Sequence, residues 1–350
     1  MGTSKLYKVI SVLLVLVFNQ PVRSQNVVPE SKTEKSGLFN YTGSYIDGNY
    51  VWGGAMNLAW NELTNNLIKD KIKFETADPT TLVMVNQFNN SLFTKNDLDL
   101  YSYYIKSGFG QKTVDAINKE TRKKFPSKSF AALTGNFVDR DIIAYAYFSK
   151  QVFYPIPFTK TETTFEGTPV AGFYAWKHEE RENVRIIQYT SDERFIVSLK
   201  LKDDSDQLIL AKGYDMNDPE MVVAEIDQNI DKYPDYMERM DNFAAPKLNL
   251  DYHRDYKELI GKQLANEGFG DYVIGQMFEN MRFTMDEKGA KVENEGAIVP
   301  VAVSFDPNEP RPRHLELNKP FWLVMKRKGS KNPYFILGIN NTALMEKVKK

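Results

Sequence analysis

The stretch that most constrains the fold is a long apolar run in the middle of the chain, DIIAYAYFSKQVFY at residues 141–154. It is rich in aromatic and β-branched residues, which favour strands. It also lacks the regular alternation of apolar and polar residues that is typical of a strand with one solvent-exposed face. Such a run predicts a strand buried on both faces of its sheet.

The remaining periodicity places helices mostly in the first part and strands in the second. Helices are predicted at 56–68 and at 113–125, the latter with Thr113 as N-cap. Further predictions are a strand at 81–89, a strand pair at 163–176 around a Gly-Thr-Pro turn, a hairpin at 183–203 turning at Ser191-Asp192, a strand at 207–214, a helix at 219–240 interrupted at Pro234, a strand followed by a helix at 247–269, and C-terminal strands at 320–329 and 334–340. Together these predict an α+β fold.

The first 25 residues have the pattern of a secretory signal peptide. Two lysines precede the apolar run 9–18, and residues 22–24 give a small-residue cleavage pattern. The run is shorter than the roughly 20 residues of a membrane-spanning helix, although a retained N-terminal membrane anchor is the alternative. We expect secretion, extracellular or periplasmic in a bacterium, with 26–48 as a poorly ordered leader and 49–350 as one domain.

Composition excludes several functions. The formal net charge of −1 over 350 residues gives no reason to expect nucleic acid or an anionic membrane as a partner. The chain has no cysteine, so thiolate metal sites, cysteine nucleophiles and disulfides are excluded. A secreted chain of this kind must be held together by its core alone, which the length permits.

The sequence contains no recognisable catalytic constellation. His178, His253 and His314 do not have metal-ligand spacing, and SGFGQKT at 107–113 lacks the spacing of a phosphate-binding loop. The acidic turns DDSD and DMND do not match a calcium-binding loop. We therefore expect no enzymatic activity, no metal and no cofactor. N-x-S/T sequons make Asn40, Asn89 and Asn340 candidate glycosylation sites.

A long polar connection separates an alternating strand near residue 281 from the apolar strand that ends near residue 325. It runs through small, acidic and proline residues. Loops longer than about 12–15 residues without structure of their own are uncommon, and they are usually functional or disordered.

Four blocks, in order, give the second half of the chain a resemblance to the serpins. They are AYAYFSKQVFYPIPF…TTFEG (144–167), PKLNLDYHRDYKELIGKQL…GF (246–269), FTMDEKGAKVENEGA (283–297) and LNKPFWLVMKRKGSKNPYFILGINN (317–341). TVDAINKETRKKF (113–125) resembles a serpin helix more weakly. The chain is similar to a divergent, shortened serpin. The Asn-x-x-x-Ser-Pro-x-Ser-Ile block is absent, and so is the tryptophan that usually follows the Tyr-Phe pair.

The resemblance implies large mixed and antiparallel sheets, a helical N-terminal half and an exposed reactive-loop equivalent near the C-terminus. In inhibitory serpins a protease cleaves this loop, which then inserts as a new strand into the large sheet and traps the acyl-enzyme. The resemblance assigns the loop hinge to Glu287, Gly289, Ala290, Val292 and Asn294, and the bait bond to Val303-Ser304.

The hinge sequence is poorly suited to insertion. On one register Ala290, Val292, Asn294 and Gly296 share a face, and a one-residue slip would instead bury Lys291, Glu293 and Glu295. A buried Asn294 without partners would cost about 1–3 kcal/mol. Pro300 cannot donate a hydrogen bond within a sheet.

Two functions are consistent with these features. The first is a non-inhibitory or weakly inhibitory protein that binds a protein or small ligand. The alternative is a working inhibitor of serine or cysteine endopeptidases with its bait near Val303. In either case we expect a monomer whose partner is a protease or another secreted protein, with no membrane contact once the leader is removed.

Overall fold

The computed structural model describes the backbone of residues 11–18 and all atoms of residues 41, 43–128, 130–232, 235–288 and 312–348. The α-helices in these ranges are α1 (Ala55–Glu62), α2 (Pro79–Asn90), α3 (Gly110–Lys124), α4 (His178–Arg181) and α5 (Pro219–Asn229), and a π-helical segment, Leu63–Ile68, continues α1. The strands are β1 (Ser11–Phe18), β2 (Ser44–Ile46), β3 (Asn49–Gly53), β4 (Tyr103–Phe109), β5 (Ile142–Phe148), β6 (Thr159–Phe165), β7 (Thr168–Tyr174), β8 (Val184–Ser191), β9 (Arg194–Leu199), β10 (Asp206–Lys212), β11 (Asp235–Tyr236), β12 (Asn242–Pro246), β13 (Leu248–Asp255), β14 (Tyr272–Met285), β15 (His314–Glu316), β16 (Phe321–Arg327) and β17 (Phe335–Ile339).

The strands form three sheets. A five-stranded antiparallel sheet has the order β13-β14-β1-β5-β4, and an eight-stranded antiparallel sheet has the order β11-β8-β9-β10-β16-β17-β3-β2. A four-stranded sheet has the order β15-β12-β7-β6, in which β15 pairs with β12 in parallel. Helices and sheets therefore form the predicted α+β fold.

Strand β5 is buried at every position, as its continuous apolar sequence predicts. Its alternate residues face two different clusters, because side chains on a strand point to opposite sides. Ile142, Ala144, Ala146 and Phe148 belong to the main core. Ile143, Tyr145 and Tyr147 form a second cluster with residues of α3, which covers the other face.

The eight-stranded sheet contributes much of the main core through large aromatic residues. Trp322 on β16 is fully buried and lies beside Gly338 on β17. A Cβ atom added at Gly338 would stand 2.8 Å from the Trp322 ring. Glycine is therefore needed in the middle of this strand, where it leaves room for the indole.

The strand predicted at 81–89 is wrong, because this segment lies in helix α2. Asp78 caps the helix by accepting a hydrogen bond from the Thr80 amide, and Pro79 occupies the first turn. The buried residues Thr81, Met84, Val85 and Phe88 follow helical spacing. Their packing against the core outweighs the strand preference of the sequence TLVMV.

Two predicted helix ends also need correction. Helix α3 begins at Gly110, so Thr113 is not its N-cap; the Thr113 hydroxyl instead donates to the Phe109 carbonyl at 2.8 Å. The helix predicted at 219–240 ends as α5 at Asn229, and a short strand follows at 235–236.

The helix predicted after β13 does not form, since the backbone there donates hydrogen bonds to the first residues of β14 instead. The Gly261 amide donates to the Ile274 carbonyl at 2.7 Å, and the Leu264 amide donates to the Tyr272 carbonyl at 2.9 Å. Gly261 has φ of +79°, a conformation that interrupts a helix and suits glycine.

Two strands lie within the stretches predicted as signal peptide and leader. β1 falls within residues 1–25, and β2 falls within residues 26–48, where it pairs with β3. In the part of the chain that the structure describes, no helix has both the length and the apolar character needed to cross a bilayer.

Candidate functional site

The long polar connection, which the resemblance predicts to be the reactive-loop equivalent, follows strand β14 in the chain. This strand pairs with β13 from Phe278 to Met285, and its residues alternate between buried and partly exposed positions in that half. Met285, at its end, is buried. The point at which the long connection departs is therefore held by a regular strand in the predicted place.

Glu287 anchors the start of the connection. Its carboxylate lies 2.5 Å from the Lys247 ammonium and 3.4 Å from that of Lys160. Its carbonyl accepts a hydrogen bond from the Phe158 amide at 2.7 Å. Burial opposes ionisation of Glu287, but the hydrogen bond and charge of Lys247, with the charge of Lys160, hold its pKa below the ordinary value.

Arg313 anchors the return of the connection just before β15. Its Nε and Nη2 donate to Oδ2 of the buried Asp241 at 2.9 and 2.6 Å, and its amide donates to Oδ1 at 2.8 Å. The guanidinium also pairs with Asp235 and donates to the Tyr236 carbonyl at 2.9 Å. Burial alone would raise the Asp241 pKa, but the hydrogen bonds from Arg313 hold it below the ordinary value.

The other predicted hinge and bait residues lie outside the described residues. They are Gly289, Ala290, Val292, Asn294, Val303 and Ser304. Their assignment and their register therefore remain predictions. Of the predicted hinge, the structure describes Glu287 alone, and it gives this residue a buried ion pair.

The candidate glycosylation sites differ in their surroundings. Asn40 lies outside the described residues. Asn89 Nδ2 donates to the Ile72 carbonyl at 2.8 Å, and its Oδ1 accepts from the Trp60 indole at 2.9 Å, so a glycan on Nδ2 would compete with the hydrogen bond to Ile72. Asn340 Nδ2 donates to the Gly48 carbonyl at 2.9 Å.

A buried carboxyl group beneath the five-stranded sheet was missed by sequence reasoning. Glu279 on β14 is only 3% exposed, and its Oε2 accepts a hydrogen bond from the Tyr256 hydroxyl at 2.9 Å. Burial raises the pKa of Glu279 to about 7, against the opposing effects of Tyr256, Arg254 and the Met56 amide at the start of α1. The sequence signal was a glutamate in phase with Met277, Met281 and Phe283, all of which face the core.

In the described part of the chain, no cluster of three or more histidine and acidic side chains is arranged to hold a metal ion. His178 and His253 lie near single carboxylates, Glu182 at 3.5 Å and Asp255 at 3.3 Å. The His314 amide, not its ring, donates to Asp192 at 2.9 Å. The three histidines therefore lie in three separate surroundings.

Comparison with solved structures identifies the fold. The chain is similar to mouse protein Z-dependent protease inhibitor, with a TM-score of 0.52 and 15% sequence identity, covering 85% of this chain and 91% of that one. It is also similar to serine protease inhibitor (serpin) 12 of Manduca sexta, with a TM-score of 0.50 and 13% identity, covering 88% and 97%. No family model and no curated protein matches the sequence. The protein therefore has a serpin fold, as the four sequence blocks predicted.

Replacing Glu287 with glutamine should destabilise the protein at neutral pH by about 1–3 kcal/mol. The side-chain amide of glutamine is neutral, so the ammonium groups of Lys247 and Lys160 would lose the negative charge with which they pair. Because the pKa of Glu287 is lowered, its contribution is present at neutral pH and is lost as pH falls, so the difference from wild type should shrink in acid. Urea unfolding at two pH values measures this.

The matched control is Glu162→Gln, because Glu162 is exposed on β6. It should leave the free energy of unfolding unchanged at both pH values. If Glu287→Gln behaves like this control, the ion pair does not anchor the connection.

Proposed function

We propose that this protein is a secreted, monomeric serpin-like protein that acts by binding a protein or small ligand, with little or no capacity to trap proteases. The proposal includes removal of residues 1–25 as a signal peptide and a single folded domain that follows the leader. It assigns the protein no catalytic reaction and no cofactor.

The burial of β5 carries this proposal. All seven of its residues are buried, with the main core on one face and α3 on the other. A strand added beside β5 would therefore meet apolar structure on both sides. The hinge segment AKVENEGA (290–297) brings a lysine, two glutamates and an asparagine to this position. Burying such groups without partners is unfavourable on either register.

One observation favours the alternative, a working endopeptidase inhibitor. Both ends of the connection are anchored by buried ion pairs, Glu287 with Lys247 and Arg313 with Asp241. A loop that presents one peptide bond to a protease needs both of its ends to be held in fixed positions. Both of the solved structures named above are themselves described as protease inhibitors.

Incubation with a panel of serine and cysteine proteases separates the two functions. We expect cleavage within residues 289–311 without an SDS-stable complex, and a melting temperature that changes little after cleavage. An SDS-stable complex would establish the inhibitor. A large rise in melting temperature would show that the strand inserts despite its polar residues.

A hinge variant provides the matched control. It carries Lys291→Ala, Glu293→Ala, Asn294→Ala and Glu295→Ala. If the polar hinge is what prevents insertion, the cleaved variant should melt well above the uncleaved one. If neither protein gains stability on cleavage, the hinge is not the cause.

A further inference from the structure

A cleft lies on the outer face of the four-stranded sheet, the face that does not pack on the main core. Phe173 of β7 and Phe243 of β12 belong to that core, so the residues that alternate with them point outward. The registers place the outward residues Tyr174, Ala244 and Glu316 side by side on β7, β12 and β15. The cleft that they line has a volume of about 290 Å³, near the lower end of the range for small-ligand sites.

A slot forms in this cleft because the middle residue of that row is small. Tyr174 and Glu316 stand on strands separated by β12, and strands that flank an intervening strand are about 9.6 Å apart. Between them β12 presents only the methyl group of Ala244. Tyr174 and Glu316 are both half-buried. An aromatic ring and a carboxylate therefore line opposite sides of one slot.

The carboxylate of Glu316 is held in place by neutral groups. Its Oε1 accepts a hydrogen bond from Asn242 Nδ2 at 2.7 Å, and its Oε2 accepts one from Asn318 Nδ2 at 3.3 Å. The buried Lys212 joins this network through Asn318 Oδ1, to which its ammonium donates at 2.8 Å. A carboxylate has about four lone-pair sites, so Glu316 keeps capacity for further donors.

The cleft offers acceptors and negative charge to a ligand. Its described lining residues include two glutamates, Glu162 and Glu316, but no lysine or arginine. Asn242 Oδ1 is buried and has no hydrogen-bond partner in the described part of the chain. A buried acceptor without a partner is unfavourable, so a ligand rich in N–H donors would be stabilised here.

A guanidinium group matches the slot in charge, shape and hydrogen bonding. A charged nitrogen lies about 2.8 Å from a carboxylate oxygen that accepts its hydrogen bond, and a cation is attracted to an aromatic face within about 6 Å. These two distances together span the gap between Glu316 and Tyr174. Guanidinium is planar and weakly hydrated, so it stacks on a ring better than an ammonium group does.

The aromatic wall of the slot continues from Tyr174 to Trp176. Their ring centroids are 5.9 Å apart, and Trp176 is 56% exposed. Its indole therefore offers an apolar surface beside the cation position. Such a surface can cover the methylene groups of a short alkyl chain attached to the guanidinium group.

We propose that the slot between Tyr174 and Glu316 binds a small molecule that carries a guanidinium group on a short alkyl chain. Glu316 accepts its hydrogen bonds, the ring of Tyr174 faces the cation, and Ala244 leaves the space. This proposal rests on the binding function proposed above, for which it names the class of ligand.

Calorimetric titration of the wild-type protein with butylguanidinium tests the chemistry. We expect a dissociation constant on the order of 1 mM, which is reasonable for so small a ligand. Butylurea has nearly the same shape and no charge, so it should bind at least about tenfold more weakly. Equal affinities for the two molecules, or no binding of either, would overturn the proposal.

Two variants locate the site. Glu316→Gln removes the charge and Ala244→Leu fills the slot, so each should weaken butylguanidinium binding at least about tenfold. The matched control is Glu267→Gln, which is exposed and lies outside the cleft, and it should bind as wild type does. Melting temperatures show whether each variant is folded, and the comparison of ligands on wild type decides the chemistry if one is not. Wild-type affinity in both folded variants would overturn the proposal.

A short peptide distinguishes a small-molecule ligand from the arginine of a partner protein. Acetyl-Gly-Arg-Gly-amide should bind no more tightly than butylguanidinium, because the cleft is small. Binding of the peptide that is tenfold tighter would overturn the assignment to a small molecule. The protease experiment is separate, since an SDS-stable complex would contradict the proposed function, whereas a failed titration without such a complex would contradict the slot alone.

Discussion

Replacing Glu279 with glutamine should make the protein more stable at pH 8, an unusual result for a fully buried hydrogen-bonded residue. The Glu279 carboxyl lies beneath the five-stranded sheet between Tyr256 and the first turn of α1. At alkaline pH the folded protein has to hold a carboxylate in this apolar position. Glutamine retains the shape and an acceptor for Tyr256 and carries no charge.

The sign and size of this change in stability follow from the pKa of Glu279 in the folded and unfolded states. Burial raises it to about 7 in the folded protein, from an ordinary value of 4.5. A raised carboxyl pKa gives stability that is present below the ordinary value and lost as pH rises through the folded value. The difference corresponds to about 3 kcal/mol above pH 7. Glu279→Gln should therefore gain about 2–3 kcal/mol at pH 8 and much less at pH 5.

Urea unfolding of wild type and variant at pH 5 and pH 8 measures this difference. Glu267→Gln is the matched control, because Glu267 is exposed in the turn before β14 and should show no such pH dependence. A variant that is less stable than wild type at both pH values would mean that the Glu279 carboxylate is compensated in the folded state.

Replacing Arg313 with alanine should destabilise the protein by about 3–5 kcal/mol, the range for breaking a buried pair by removing one partner. Asp241 would keep its buried position without the guanidinium that holds its pKa below the ordinary value. That lowered pKa stabilises the folded protein at neutral pH and ceases to do so in acid, so the loss should be largest at pH 7.

Three companion variants make the result specific. Arg313→Lys keeps the charge but not the two-pronged geometry, so it should lose an intermediate amount. Adding Asp241→Asn to Arg313→Ala should recover part of the loss, because the unpaired charge is gone. Arg239→Ala, an exposed arginine nearby, should change little. A loss for Arg313→Ala no larger than that control would show that the pair does not anchor the loop.

Sequence patterns predicted the elements whose environment is uniform along their length. β5 is apolar throughout because both of its faces are covered, and α3 has one buried stripe because one face packs on β5. Two antiparallel strand pairs, β8 with β9 and β16 with β17, are short and have either alternating or continuously apolar sequences. Each of these features is local, so it is visible in the sequence.

The errors arose where distant backbone groups decide the conformation. Segment 81–89 contains β-branched residues, yet its fit against the core makes it helical. The residues after Tyr256 have helical spacing, but the carbonyls of β14 and the amides of Gly261 and Leu264 bond to each other instead. Neither outcome can be predicted from the neighbouring residues, because the groups that decide it lie elsewhere in the chain.

The site divides in the same way. The resemblance pointed to Glu287 and to the loop that follows it. The return anchor could not be found by spacing, because Arg313 and Asp241 are separated by 72 positions and meet only when β15 pairs with β12. Glu279 is recognisable in the sequence as a charged residue at a position of β14 where the alternating pattern predicts an apolar one. Whether its carboxyl group is buried depends on the structure that packs beneath the sheet.

The sequence by itself determined that the chain has a doubly covered strand, an α+β class, no thiol chemistry and a long polar connection of serpin character. These follow from composition, periodicity and motif order, which are properties of neighbouring residues. The tertiary structure alone decided which charges are buried as pairs, that Glu279 stands under the sheet, and that Ser11–Phe18 separates β5 from β14. Those outcomes depend on contacts between segments far apart in the chain, whose energies no local pattern contains.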